Sequence, residues 1–364
     1  MRDRLRLRGL LQSDVGDLPG GRRKLDPKLR FMSTGISVIM AVRNGEKTLS
    51  DAIRSILTQT TPPEELIIVL NGCEDGSHSV VTEFARCHPS IQFLESSAVG
   101  GVAEAAQLGC SVAQQPLIAR MDCDDVAHPH RLQEQLRVLS ETNADLVTSC
   151  VKSIDSLGEG LEQYVHWANS LHAPEDFLAG RFIESPVIQP GVLMTLKSYQ
   201  RAGGYLIKEG PEDYDLWLRM LAQGCRFYQA PQAHLDWRDS PSRLTRSHED
   251  YSAHHMTATK ARYLALLPQV IEHGVTIAGS GPQGRRLTKY LLAENIRVHE
   301  LYDVDPSKIG HRAHGILIAP PSEIGKNHPK AILLGCVGRG RREKVRTLAT
   351  QLGYHEGDNF FSCC

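Results

Sequence analysis

The stretch "IARMDCDDVAHPHRL" (118–132) sets three carboxylates, Asp122, Asp124 and Asp125, at the end of an apolar run. Carboxylates this close repel one another, so they either point outward into water or have a cation among them. If Asp122, Cys123 and Asp124 end a strand, alternate residues point the same way and Asp122 and Asp124 converge. Their natural partner is a hard divalent cation, with phosphate or water filling the remaining coordination sites. Asp125 reads as a cap of the following helix, with a direct role as the alternative. Spacing alone does not decide this, because Asp213/Asp215 and Asp303/Asp305 repeat it and most such pairs are solvated surface.

The elements around these acids sharpen the reading. "ISVIMAV" (36–42), "ELIIVL" (65–70), "IQFLE" (91–95) and "LIARMD" (117–122) are short apolar runs that predict strands. Between them "EKTLSDAIRSILTQ" (46–59), "SHSVVTEFARC" (77–87) and "VAEAAQLGCSVA" (102–113) carry helical spacing. This alternation predicts a mostly parallel sheet flanked by helices. Ligands of such sheets sit beyond the carboxyl ends of the strands. Arg43, Asn44, Asn71 and Asp122–Asp125 all fall there. Further on, "PGVLMTL" (190–196) predicts a strand, "EDYDLWLRMLAQG" (212–224) a helix ending at Gly224, and "SAHHMTATKARYLALL" (252–267) a connecting helix.

A second β-α-β pattern opens at "VTIAGSGPQGRRLTKYLLAENIRVHELYDVD" (275–305), and "AILLGCV" (331–337) adds a later strand. Gly279, Gly281 and Gly284 lie between a strand and a helix, the context in which this spacing can bind a diphosphate at the helix N-terminus. Asp303 could then take a ribose hydroxyl. The same glycines could equally serve close strand–helix packing. The expected division is therefore a disordered extension at 1–33, with Met32 as the expected natural start, a catalytic domain at 34–250, a connecting helix at 251–269 and a smaller Rossmann-like α/β domain at 270–364.

A net charge of -1 implies no bulk attraction to nucleic acid or an anionic membrane. Nine cysteines without a CxxC argue for a reducing compartment, and Cys363 and Cys364 read as a tail. No apolar run reaches the ~18 residues of a membrane span. The histidines form no HExxH, and neither GxSxG nor a P-loop is present.

Four motifs occur in order: "ISVIMAVRNGEKTLSDAIRSILTQT", "ELIIVLNGCEDGS", "IARMDCDDVAHPHRLQEQL" and "GPEDYDLWLRMLAQG". Together, over about residues 35–245, they resemble the family-2 glycosyltransferases. The resemblance implies the GT-A fold and sugar transfer from a nucleotide-sugar donor to a glycan or lipid-linked acceptor. It places Mg²⁺ or Mn²⁺ beneath the donor diphosphate, with Asp124 as the main metal ligand and Asp122 as the acid on the ribose or metal side. It puts the enzyme in cell-surface polysaccharide or glycan synthesis, in the cytoplasm or peripherally at the inner membrane face. Ala41, Arg43, Asn44 and Glu46 stand where the family's first loop contacts the nucleoside, and Asn71 where an Asp often meets the base. Arg120 pairs with the acids or the phosphates, or simply holds the loop. Asp213 matches the family's catalytic base, Glu212 orients the acceptor or stabilises the helix start, and Trp217 lines the acceptor site or packs in the core. Asp215 reads as exposed. One base and one displacement imply inversion.

Departures from the family pattern are visible. The "SSAVGGVAEAAQ" loop lacks an Asn-x-Gly…Arg-Asn pattern, Gln189 stands where His is common, and Ser240 where a third metal ligand is usual. His234, Asp239 and His248 are neighbours that could substitute, though each alone reads as a surface residue. Arg238, Arg243 and Arg246 could clamp a diphosphate or belong to a solvated basic loop. Two other classes stay open: an NAD(P)-linked oxidoreductase working through the C-terminal domain, and a non-catalytic glycan- or partner-binding module.

Overall fold

A computed structural model describes residues 35–97, 101–155, 158–206, 209–241 and 243–364. The expected extension at 1–33, the start at Met32 and part of the "SSAVGG" loop lie outside them. The chain forms two units. The first falls within Met1–Pro174, Val187–Lys208 and Glu212–Arg243, the second within Glu175–Pro186, Glu209–Pro211 and Leu244–Cys364. The segments 175–186 and 209–211 join the second unit from far upstream, which no local pattern announces.

The first unit opens with β1 (Ile36–Val42), α1 (Leu49–Leu57), β2 (Glu65–Asn71), α2 (Ser77–Cys87), β3 (Ile91–Ser96), α3 (Gly101–Val112) and β4 (Leu117–Asp122). β5 (Val126–Ala127), α4 (Arg131–Thr142), β6 (Leu146–Ile154), β7 (Val192–Thr195), α5 (Glu212–Ala222) and β8 (Phe227–Arg238) follow. The strands form one sheet in the order β3-β2-β1-β4-β7-β6-β8-β5. β1, β2, β3 and β4 are parallel, and β7 runs antiparallel to β4 and β6. β1 and β2 are near-continuous apolar runs because both of their faces are covered. Val38, Met40 and Val42 pack in one core with Leu49, Ile53 and Ile56 of α1. α1 starts at Leu49 rather than Glu46, and residues 46–48 form a turn whose Thr48 amide donates to the Gly45 carbonyl at 3.0 Å. The chain proceeds from β1 outward to β2 and β3, then returns to place β4 on the other side of β1. The carboxyl ends of β1 and β4 thus form the switch point at which such sheets bind ligands.

The second unit holds α6 (Ala253–Leu264), β9 (Val275–Ala278), α7 (Pro282–Ala293), β10 (Val298–Tyr302), β11 (Arg312–Ala313), β12 (Ile316–Ala319), β13 (Ile332–Gly335), α8 (Arg339–Gln351) and β14 (Phe360–Ser362). Its sheet order is β11-β12-β10-β9-β13-β14, parallel except for β11. Tyr302, Leu333 and Phe360 anchor its core. α6 packs on α7 inside this unit rather than standing apart as a connector. The C-terminus is not a tail: β14 pairs with β13, the Cys363 amide bonds the Gly335 carbonyl at 2.8 Å, and Cys364 forms a disulfide with Cys336. The expectation of free thiols fails there because β13–β14 pairing brings together cysteines 28 residues apart in sequence. Among the described residues no helix is long and apolar enough to cross a membrane.

Candidate active site

At the switch point Ala41, half-buried near the end of β1, is in register with Asp122 at the end of β4. Arg43, Asn44 and Glu46 are exposed on the loop that follows β1, and Asn44 takes a positive φ of 54°. That loop is tied to the one after β2. Asn44 Oδ1 accepts from the Glu74 amide at 2.8 Å, Glu46 Oε2 from the Gly76 amide at 3.2 Å, and the Glu46 amide donates to Asp75 at 2.9 Å. Asn71 ends β2 and is buried; its Oδ1 accepts from the Ser96 hydroxyl at 3.0 Å.

Asp122, Asp124 and Asp125 bring carboxylate oxygens within 4.8 Å of one another. They do not meet by strand alternation, as expected, because β4 ends at Asp122 and Cys123–Asp124 form a turn. Asp125 is not a helix cap either, since His130 holds that position at the start of α4. Asp125 is instead 1% exposed, and its Oδ1 accepts from the Arg238 amide of β8 at 2.8 Å. Its buried Oδ2 has no hydrogen-bond partner among the described residues. An all-oxygen donor set with one orphaned buried acceptor fits a hard divalent cation. The electrostatics agree. Burial, then the charge of Asp122, pushes Asp124 up to about 6, and the same two causes with Asp124 added push Asp125 well above the usual carboxylate range. Nearby Arg238 and Arg243 offset part of this for Asp124. Asp125 is the residue that sequence reasoning undervalued; its signal was the third acid of the run itself.

Arg120 is 0% exposed, so it does not touch phosphates directly. Its Nη1 donates to the Ile39 carbonyl at 2.7 Å, and its Nη2 lies 3.6 Å from Asp122 Oδ1.

Asp213 sits half-buried in the first turn of α5, its Oδ1 accepting from the Tyr214 amide at 2.6 Å. Burial of the carboxyl, then the neighbouring Glu212, lifts it to about 8, and Asp122 adds to the same push across the site. Glu212 is buried and accepts from Gln189 Nε2 at 3.5 Å, and Gln189 Nε2 also reaches the Tyr205 hydroxyl at 3.3 Å. Two expectations for this helix are corrected. Asp215 is buried and paired with buried Arg219 at 2.9 Å, because helical spacing of four residues puts both on the inner face. Trp217 is 0% exposed, edge-on to Phe227 at 6.4 Å, so it packs in the core and lines no acceptor surface.

His234 and Asp239, read as surface residues, are buried, whereas His248 is exposed. None of the three belongs to the acid cluster among the described residues. Arg238 Nε donates to the Asp124 carbonyl at 3.0 Å, the Arg243 guanidinium lies 3.6 Å from the Trp237 ring centroid, and Arg246 is exposed in the second unit.

In the second unit the three glycines separate by role. A Cβ on Gly284 would lie 1.8 Å from the Gly279 carbonyl oxygen, and one on Gly279, whose φ is +117°, 2.1 Å from that of Cys336; around Gly281 there is open space. Gly281 borders a hollow of about 420 Å³ lined by Ser280, Pro282, Arg285 and Lys308. Asp303, the candidate for a ribose hydroxyl, is held within its own unit. Its oxygens accept from the Ser280 amide and hydroxyl, Lys308 Nζ and the Asp305 amide, which together hold it down to about 2 against burial.

Comparison with known proteins bears on the family and the fold. A family model described as "Glycosyl transferase family 2" matches residues 37–191. The chain is 31% identical over 190 residues to the O-antigen biosynthesis glycosyltransferase WbnJ of Escherichia coli, covering 51% of this chain and 71% of that protein. It is 27% identical over 207 residues to the UDP-Gal:alpha-D-GlcNAc-diphosphoundecaprenol beta-1,3-galactosyltransferase of the same species, covering 56% and 74%. Among solved structures, S. aureus TarS 1-349 in complex with UDP-GlcNAc aligns with a TM-score of 0.55 at 16% identity, over 71% of this chain and 72% of that one. The structural likeness carries the fold, a GT-A type sheet with flanking helices.

Proposed function

Since the chain belongs to glycosyl transferase family 2 and is a glycosyltransferase, we propose that it moves a sugar, with inversion, from a nucleotide-sugar donor to a glycan or lipid-linked acceptor in a divalent-metal-dependent reaction. The observation that carries this reading is the convergence of Asp122, Asp124 and Asp125 at the switch point of the sheet. That the charge of Asp122 reaches Asp213 supports reading Asp213 as part of the same site. The relatives named for O-antigen synthesis and for a diphosphoundecaprenol-linked acceptor support the acceptor class.

In this mechanism Asp213 accepts the acceptor hydroxyl's proton as that oxygen bonds to the anomeric carbon, and the bond to the diphosphate breaks on the opposite side. A single displacement inverts the centre. The three aspartates would hold Mg²⁺ or Mn²⁺, which when bound supplies charge stabilisation to the leaving diphosphate. Arg238 and Arg243 lie beside the acids and add positive charge for the same anion. Ala41, Arg43, Asn44, Glu46 and Asn71 edge the donor side in this reading, with Glu212 beside the acceptor. The residues from about 270 onward are read as a Rossmann-like domain, supported by the β9–loop–α7–β10 order, with Gly281 as its phosphate-approach point.

The test is a thermal-shift panel of nucleoside diphosphates and their sugars with and without Mn²⁺, run on the wild type and on Asp124→Ala. Binding to the folded state raises Tm by mass action. The expected result is a Mn²⁺-dependent rise with one nucleotide class, lost in Asp124→Ala. An equal rise without metal in both proteins would remove the metal from the mechanism.

A further inference from the structure

We propose that Arg120 is the positioning residue of the acid site: sealed inside the sheet, its guanidinium fixes the Asp122 carboxylate and links it to the start of the helix that carries Asp213. The inference rests on the metal-dependent reading above. Arg120 is 0% exposed, so it can act only through the protein groups around it. Nη1 is satisfied by the Ile39 carbonyl at 2.7 Å, while Nε and Nη2 have no hydrogen-bond acceptor among the described residues. Nη2 lies 3.6 Å from Asp122 Oδ1, and Arg120 is, among the described residues, the one cation at ion-pair distance from that acid. On its other side the guanidinium lies 6.0 Å from the Tyr205 ring centroid. The Tyr205 hydroxyl meets Gln189, and Gln189 meets Glu212, the residue before Asp213. The charge of Arg120 acts on both Asp122 and Glu212.

A buried guanidinium with two unbonded nitrogens carries a desolvation cost that hydrogen bonds do not offset there, so stability alone does not account for it. What it does supply is a fixed counter-charge behind Asp122. Without it, Asp122 would face Asp124 and Asp125, both within 4.8 Å, with no cation at ion-pair distance and would turn toward solvent. A role in the fold alone and a role in positioning therefore predict opposite pairs of results.

The experiment uses the full chain and Mn²⁺ alone, with free Mn²⁺ read by electron paramagnetic resonance and Tm by circular dichroism, on the wild type, Arg120→Met and Arg120→Lys. Arg120→Met is expected to keep or raise Tm while binding Mn²⁺ at least ten-fold more weakly, and Arg120→Lys to recover part of the loss. If Arg120→Met does not fold, Arg120→Lys decides in a cycle with Asp122→Asn, where its effect on Mn²⁺ should shrink once Asp122 is gone. Unchanged Mn²⁺ affinity in the folded variants, or an effect of equal size in both backgrounds of the cycle, overturns the inference. A wild type that binds no Mn²⁺ overturns the metal reading itself, and the inference with it.

Discussion

Asp213 must be ionised to accept a proton, yet burial and Glu212 hold it up at about 8. A carboxylate so placed is a stronger base than one in water, and it works only in its unprotonated form. The wild-type kcat/KM is therefore expected to rise as pH climbs through about 8, and a rate flat across that range would count against Asp213 as the base. Asp213→Asn should lower kcat by about 10²- to 10⁴-fold while leaving the Mn²⁺-dependent nucleotide shift in place. Asp303 makes the opposite case. Its folded-state pKa lies below the unfolded value of 3.8, at about 2, because Ser280, Asp305 and Lys308 donate to it. A depressed carboxylate contributes stability that is fully present above the unfolded pKa and is lost as pH falls through the folded one. Here that is roughly 2 kcal/mol at neutral pH, fading between about pH 4 and pH 2. Urea melts of the wild type and Asp303→Asn should differ at pH 7 and converge toward about pH 2; a constant gap would sink the assignment.

Elements decide which residues meet. The turn after β4, rather than strand alternation, gathers Asp122, Asp124 and Asp125, and the backbone of β8, which pairs with β5, fixes Asp125 through the Arg238 amide. The spacing D-x-D-D reads the same whether the acids diverge along a strand or fold together in a turn. The loop between β9 and α7 shows a similar ambiguity. Gly279 and Gly284 let the helix approach the strand end, and Gly281 alone opens to space. Gly284→Ala is accordingly expected to destabilise the protein by about 1–3 kcal/mol, the range for overpacking. Gly281→Ala should leave the melting midpoint within error. If both variants melt alike, the division of labour among these glycines is wrong.

At the scale of the whole chain, two sheets each carry their own core, and the segments that build them interleave along the sequence. Four ordered motifs suffice to announce a family-2 glycosyltransferase because parallel β1, β2 and β4 end on the same side of one sheet, where the residues proposed for the site follow them. The strands β1 to β4 were legible because apolar runs of six or seven residues between helical patterns have few other uses. Placement of 175–186 and 209–211 with the second unit was not, since it depends on contacts between distant segments.

The sequence by itself determined the alternation of strands and helices, the position of the acids at a strand end and the family they belong to, all of which follow from local periodicity and short spacings. Burial was decided only by the tertiary structure. It made Asp215 an internal partner of Arg219 and Trp217 a core residue, it left Arg120 without solvent, and it occupied Asp303 with its own loop. Whether a side chain faces water or another element depends on what packs over it, and that partner comes from elsewhere in the chain.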